Sequence, residues 1–444
     1  MNADLSLEQA PPIQVPFRFF ISAPLFGIAA SILLLAYAPT IFVSRWSPET
    51  LALTHLVTLG FMGLIMCGAM LQMLPVLSGI TVPRVTPLGT SIHILLVTGI
   101  ITFTTGLLIS SSNLLTITIV FLGTGFGIFI MALLAAMLRN KMANTTIGAM
   151  RLAVISLLIT AAFGISLLGT FIWPGISINP VLFTDIHATW GILGWVALLL
   201  VGVAYQVVPM FQMTREYPQW MTRFLLPTMF GGLITWTVIK LTMGTNGAQI
   251  ASLVMLVCIT GYAGFAITTL WLQQNRKRRI PDTTLLFWQF AMLSTLAAAL
   301  LWLIYTLMPE MIYADRYPLV LGIILLAGFA VSVMNGMLYK IMPFLIWFHL
   351  QHRQLSLGLG RKYAIPNMKQ IIPARHALWQ FYLHVVAVMT LILAGVHPTV
   401  WLIYPAGVAM TMAFALLSYN QFRAIQLYRD YDLRLKAAST ALVS

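Results

Sequence analysis

The sequence is short of charge. Aspartate, glutamate, lysine and arginine make up 8% of its 444 residues, against 60% hydrophobic ones. Soluble domains carry roughly 25% charged residues, so a chain this apolar cannot coat a water-facing surface. Lipid is its solvent over most of its length, and the mean hydropathy of +0.93 agrees. Acids are scarcer still, ten against 24 basic residues. Their near absence from the apolar runs weakens a proton-coupled transporter. No paired carboxylates, nucleophile–base arrangement or phosphate-binding loop occurs. The only cysteines, Cys67 and Cys258, both lie inside apolar runs, which excludes a disulfide framework and zinc-finger spacing. The opening stretch holds Asp4, Glu8, Pro11 and Pro12 but no basic residue before Arg18. It lacks the basic segment of a cleavable signal peptide and reads as a short cytoplasmic arm, 1–16.

What is present is a succession of apolar runs of spanning length. They fall at 17–43, 51–79, 87–110, 114–138, 152–174, 185–211, 223–242, 247–272, 285–308, 317–347, 378–396 and 399–419. Breaks coincide with backbone breakers and charge, as at Val82-Pro83-Arg84 and Arg276-Lys277-Arg278-Arg279-Ile280-Pro281. The net charge of +14 does not indicate nucleic acid, because the basic residues sit in short clusters between these runs. With the amino end inside, only Arg45, Lys240 and Arg316 of the 24 basic residues fall outside, leaving 21 within. That bias sets orientation in a bacterial-type cytoplasmic (inner) membrane, with both termini cytoplasmic. A basic inner loop covers 348–377. A basic tail, 420–444, is expected to lie along the inner surface as an amphipathic helix.

A threefold internal repeat organises the membrane domain, 17–419. Span 2 ends Gly68-Ala69-Met70-Leu71-Gln72-Met73-Leu74-Pro75, span 6 ends Gly202-Val203-Ala204-Tyr205-Gln206-Val207-Val208-Pro209, and span 10 ends Gly336-Met337-Leu338-Tyr339-Lys340-Ile341-Met342-Pro343. The interval is 134 residues both times, and Gly60-Phe61, Gly194-Trp195 and Gly328-Phe329 recur at the same spacing. Glycine lets a neighbouring helix or a flat cofactor approach closely. Lys340, in place of the glutamine, suits a salt bridge or a lipid contact. The expected fold is all-α and integral to the membrane. About twelve transmembrane helices form three four-helix repeats, about 17–138, 152–272 and 285–419, with spans 2, 6 and 10 innermost.

Twelve spans in three arcs with the amino end inside resemble subunit I of the haem-copper oxidases, a superfamily that includes the nitric oxide reductases. A closer local resemblance is to the NnrS family of haem- and copper-containing membrane proteins. Its second span carries His-x-His-Glu, Gly-Phe, Gly, then Pro followed by Thr-Gly. Here the stretch is Leu53-Thr54-His55-Leu56-Val57-Thr58-Leu59-Gly60-Phe61, then Gly68, Pro75 and Ser78-Gly79. His55 matches the family's second histidine, whereas the first is Leu53 and the glutamate is Leu56. Val15-Pro16-Phe17-Arg18-Phe19-Phe20 resembles the family's opening, and His187 begins span 6 as the family's histidine does. The departures are as informative. Span 10 has no histidine in its membrane portion, span 7 has none, and Gly191 stands where an oxidase has tyrosine. A complete oxygen- or nitric-oxide-reducing centre needs those ligands.

Eight histidines sort by depth, with His55, His187 and His397 outward and His93, His349, His352, His376 and His384 inward. The resemblance places haem towards the outer face. An imidazole within a span is costly without a partner or ligand. His55 and His187 are therefore candidate ligands to haem or a metal, set against a reading as interfacial histidines bonded to loops or water. Asp185 suggests an acceptor near His187. His397, beside Pro398 in a turn, is expected to be solvated. His349 and His352 form an i,i+3 pair beside the basic loop, where a headgroup-facing role competes with metal binding. Met62, Met66 and Met70, with Cys67 and Met73, form a stripe of soft sulfur. Met66, Cys67 and Met70 could pass Cu(I) or simply pack a helix interface. Trp190 and Trp195 would pack on a flat ligand or fill the centre.

The functional expectation is a membrane protein that binds haem, with copper as a second cofactor, in a redox, gas-sensing or nitric-oxide-stress role. It sits beside two alternatives: a transporter or metal-handling permease on the same scaffold, and an assembly partner of a respiratory complex. The charge bias generates a direct test. A cytoplasm-active reporter fused after Ser444 is expected to function, and an export-dependent reporter at the same place is expected to be silent. The opposite pattern contradicts the orientation.

Overall fold

A computed structural model describes residues 7–79, 82–139, 145–277, 282–313, 315–359 and 363–443. Lys141, Arg278, Arg279, Arg361 and Lys362, used in the charge argument, lie outside the described residues, as do Ile280 and Pro281 of the second break. All regular structure among the described residues is helical, as it must be where lipid offers the backbone no hydrogen bonds. Eleven helical runs are long and apolar enough to cross a membrane. The longest, Met221–Gln274, doubles back at a tight turn, Gly244–Gly247. Gly244 sits there at φ +53°, a conformation that residues with a Cβ disfavour. The two halves pack on each other, so this run supplies two legs.

The legs are α1 (Gln14–Ala36), α2 (Pro48–Val76), α3 (Val85–Leu108), α4 (Ser112–Arg139), α5 (Thr145–Ile172) and α6 (Pro180–Gln212). They continue with α7 (Leu226–Met243), α8 (Ala248–Gln274), α9 (Thr283–Leu307), α10 (Tyr317–Ser356), α11 (Ala374–Val396) and α12 (Val400–Val443). The pairs α1–α2, α5–α6 and α9–α10 pack side by side, and α3–α4, α7–α8 and α11–α12 form hairpins. Next, α4 meets α5, α8 meets α9, and α12 returns to α1, closing a ring. Of the long runs, α2 and α6 are the most buried.

Each of α2, α6 and α10 is interrupted by an eight-residue π-helical stretch: Leu56–Gly63, Trp190–Ala197 and Ile324–Val331. Their starts are 134 residues apart both times, the interval of the sequence motif. The stretch in α10 touches those in α2 and α6, so the three meet at the centre. A π turn shifts the hydrogen-bond register, and its carbonyls take extra donors. Tyr262 donates its hydroxyl to Leu193 O. Ser332 donates to Ala327 O at 3.1 Å. Leu193 and Ala327 are the same position in two copies of the motif.

The motif glycines face a helix, not a cavity. A Cβ on Gly60 or Gly68 would strike Phe26 or Phe19 of α1 at 2.6 and 2.8 Å. A Cβ on Gly194 would come within 2.9 Å of Ser156 and one on Gly202 would overlap Ala149, both of α5, while a Cβ on Gly328 or Gly336 would come within 2.7 Å of Ser294 or Phe287 of α9. In every case the neighbour is the helix just before in the chain. Lys340 forms a salt bridge to Asp282 at 2.8 Å.

Several expected boundaries move: α1 ends at Ala36, not 43, and α5 begins at Thr145, not 152. Span 10 does not stop at Trp347: α10 runs unbroken to Ser356, which shortens the loop placed at 348–377. The tail does not turn along the surface as a separate helix. It continues α12 to Val443, about 66 Å in all at 1.5 Å per residue. It is held to the α10 extension by Arg353–Asp432 at 3.1 Å, and Asp432 also binds Lys436 at 2.7 Å. A charged anchor between the two extended helices gives the tail a packed face that 3.6-residue periodicity alone does not identify.

The glycine contacts predict that Gly202→Ala lowers stability in detergent by about 1–3 kcal/mol through overpacking. Gly148→Ala, whose added Cβ meets nothing within 4 Å, is expected to leave the unfolding temperature unchanged. Equal behaviour of the two variants contradicts the packing account.

Candidate functional site

A cavity of about 1020 Å³ opens at the end of the bundle where α2, α6 and α10 begin. It is at the upper limit of the roughly 300–1,000 Å³ of ordinary ligand sites. Its walls are mostly apolar, and both His55 and His187 line it. The helices that carry them start alike. Ser47 caps α2 by accepting from Thr50 N, and Asn179 caps α6 by accepting from Leu182 N. Each cap is followed by a proline, which needs no partner at the first helical position. Each histidine comes seven residues after that proline, just before the π stretch or within its approach.

The two imidazoles lie with ring centroids 6.2 Å apart and planes 29° from parallel. Nδ1 of His55 is 2.8 Å from Leu51 O, and Nδ1 of His187 is 2.9 Å from Thr160 O. A carbonyl only accepts, so both Nδ1 atoms carry the proton and donate. Both Nε2 lone pairs are thereby left for a ligand, as in metal-binding histidines whose other nitrogen is oriented by a hydrogen bond. Phe103 sets its edge against His55 at 4.8 Å. Gly164 makes room for His187, since a Cβ there would be 2.9 Å from Cε1.

The mouth is charged. Arg45 pairs with Asp185 at 3.1 Å and lies over Trp46 at 4.7 Å. Asp185 thus serves Arg45 and is not the acceptor for His187 that its place in the sequence suggests. Thr160 O, from the adjacent α5, takes that role, and only the packing of α5 on α6 brings it there. Lys240 also lines the cavity. Tyr305 and Tyr317 stack at 3.8 Å on the α9–α10 side. The fold joins these residues from separate helices, and no local pattern marks them.

The sulfur stripe divides. Met62 lines the cavity, whereas Met66, Cys67 and Met70 are buried away from its walls, at most 3% exposed. Trp190 fills the centre: it donates to Thr237 Oγ1 at 2.8 Å and packs on Phe230. Trp195 reaches the cavity. His397 is exposed, and His349 Nδ1 donates to Leu345 O within its own helix. Among the described residues no group of three or more His, Cys, Asp or Glu side chains could hold a metal ion.

In comparisons with known proteins, no family model matches the chain, and no curated sequence matches it. Geometry and chemistry therefore carry the functional argument.

The orienting bond gives a test without any ligand. Gly164→Val is expected to displace the His187 ring from Thr160 O, read as a change in the ¹⁵N resonance of Nδ1 in full-length protein. Gly123→Ala, which adds a Cβ with nothing within 4 Å, is expected to leave it in place. A His187 signal that ignores Gly164→Val contradicts this packing.

Proposed function

We propose that this chain is a haem-binding protein of the bacterial inner membrane, of haem-copper-oxidase subunit I type and nearest to NnrS. His55 and His187 would hold the haem, and the role is redox or nitric-oxide-stress related, short of a complete terminal oxidase. The observation that carries the reading is the separation of the two rings. Metal–nitrogen bonds of about 2.0–2.1 Å to both histidines, with the half-width of each ring, would put the ring centroids about 6.3 Å apart. The centroids here are 6.2 Å apart. Direct face-to-face stacking would bring them closer, so this spacing suits one atom held between two Nε2 donors.

The surroundings fit the same group. Apolar walls would accept the macrocycle, and Lys240, with Arg45 shared by Asp185, would face its two carboxylates from the cavity lining. Gly123 and Gly322 line the cavity where an added Cβ would project into open space. Bound haem would supply electron storage and binding of small gases. The chain's part is to hold both Nε2 donors ready, to exclude water with apolar walls, and to neutralise the carboxylates.

Recurrence of the π stretch at 134 residues supports three four-helix repeats, and the charge bias supports cytoplasmic termini. Two imidazoles match the axial set of a haem and fall short of an oxidase's copper site, which takes three histidines. Haem is therefore the first cofactor of this proposal and copper the second. A respiratory-chain donor of electrons is the class of partner it implies.

Purified full-length protein from haem-replete cells is expected to show a Soret band with the visible bands of six-coordinate iron. His55→Ala and His187→Ala should each abolish that six-coordinate spectrum, while Met66→Ala and Cys67→Ala should leave it intact. A wild-type protein with no Soret band removes the proposal.

A further inference from the structure

An arginine within a spanning helix is costly unless its head reaches water or an anion. Arg18 lies in the second turn of α1, about 6 Å from the helix start. It is half-buried where α1 packs on α3. The fold itself does not call for this charge. At the 134-residue interval, the matching places on α5 and α9 hold Leu152 and Leu286.

The neighbours of Arg18 hold its guanidinium in place without neutralising it. Thr90 of α3 spends its own hydroxyl proton on Thr86 O at 2.8 Å, so its oxygen accepts from Arg18 Nη1. Arg18 Nε donates to Gln14 O at 3.1 Å. One turn deeper, Ser22 donates to Arg18 O at 2.8 Å and accepts from His93 Nε2 at 2.9 Å. Phe19 meets the His93 ring edge-on at 5.1 Å. Only two of the five guanidinium N–H groups are used in this way. The other three have no partner among the described residues, and no acid there pairs with Arg18. Arg84, exposed just before α3, forms no ion pair among them either.

Beyond the charge, the same helix faces are apolar and uncovered. Leu25 and Ile32 follow Arg18 at intervals of seven on α1, and Ile94 and Ile101 follow Thr90 by four and eleven on α3. Each set therefore shares a face with the polar residue above it. Their exposures are 47, 53, 56 and 53%, so these faces meet lipid and not another helix.

The three unused N–H groups form part of a planar fork that suits phosphate oxygens. Free phosphate would match the charge but leave the apolar faces beside it unexplained, whereas a phospholipid matches both. A zwitterionic headgroup brings its own cation back towards Arg18 and Arg84, and like charges repel. An anionic headgroup brings none.

We propose that α1 and α3 form a binding site for one anionic phospholipid. Its phosphate sits on Arg18, and its acyl chains lie along Leu25, Ile32, Ile94 and Ile101. Basic pockets between spanning helices recognise such headgroups. The site is at the end of the bundle opposite the cavity mouth and does not depend on what the cavity binds.

The test titrates full-length protein in detergent with phosphatidylglycerol, phosphatidylcholine or inorganic phosphate and counts bound adducts by native mass spectrometry. The wild type is expected to retain one phosphatidylglycerol at concentrations where phosphatidylcholine and phosphate leave no adduct. Arg18→Gln is expected to weaken that binding roughly five- to tenfold, the effect of one basic residue at a headgroup. Arg223→Gln, at an exposed arginine ahead of α7, is expected to leave it unchanged. Should Arg18→Gln fail to fold, Ile94→Trp at its exposed site is expected to weaken binding through the acyl contact. Equal retention of the two lipids by the wild type overturns the proposal, as does phosphatidylglycerol binding that ignores both Arg18→Gln and Ile94→Trp. Phosphate held as tightly as phosphatidylglycerol overturns it too, since the ligand is then a free anion.

Discussion

In lipid, helices gain nothing from hiding apolar surface from one another, because the tails around them are as apolar as leucine. What holds this bundle is close contact, and the contact depends on six glycines. Gly60, Gly68, Gly194, Gly202, Gly328 and Gly336 let α2, α6 and α10 lie against α1, α5 and α9 at distances that any Cβ would forbid. The three inner helices then converge, and their π stretches meet at the centre. Because α5 is pressed onto α6, Thr160 O reaches His187, and the ring is oriented. The site is thus a consequence of the packing and adds no fold of its own.

The π stretches connect packing to chemistry. Each one changes hydrogen-bond register in the middle of an inner helix and leaves carbonyls able to take a second donor. Tyr262 uses one of these, Leu193 O, and Ser332 uses its counterpart, Ala327 O. The first holds α8 against α6. The second ties a side chain of α10 back onto its own helix, at a residue that lines the cavity. One backbone device at equivalent positions therefore anchors a neighbouring helix in one repeat and a side chain of the same helix in another.

The periodic part of this architecture was legible in the residues. Apolar runs place all twelve legs, though α1 ends and α5 begins seven residues from the expected bounds, and the 134-residue interval marks where the π stretches fall. His55 and His187 stand out as costly groups at corresponding depths. Their partners did not: Thr160 O, Phe103 and Gly164 come from other helices, and Asp185 is taken by Arg45 across the mouth. The stripe of Met66, Cys67 and Met70 looks like a soft-metal path along one helix but points into packing, because only the neighbours decide which face is lined. The ends of α10 and α12 were misjudged for a related reason. Charge marks where an apolar run ends, not where its helix stops, and Arg353–Asp432 ties the two helices together beyond that point.

The account turns on whether a single atom joins the two Nε2 nitrogens. A density map of the purified full-length protein, at a resolution that separates side chains, decides it. The prediction is a planar macrocycle between His55 and His187, with its central atom about 2 Å from each Nε2, as for other metal–imidazole bonds. A haem-replete preparation with only lipid or solvent between the two rings would contradict it.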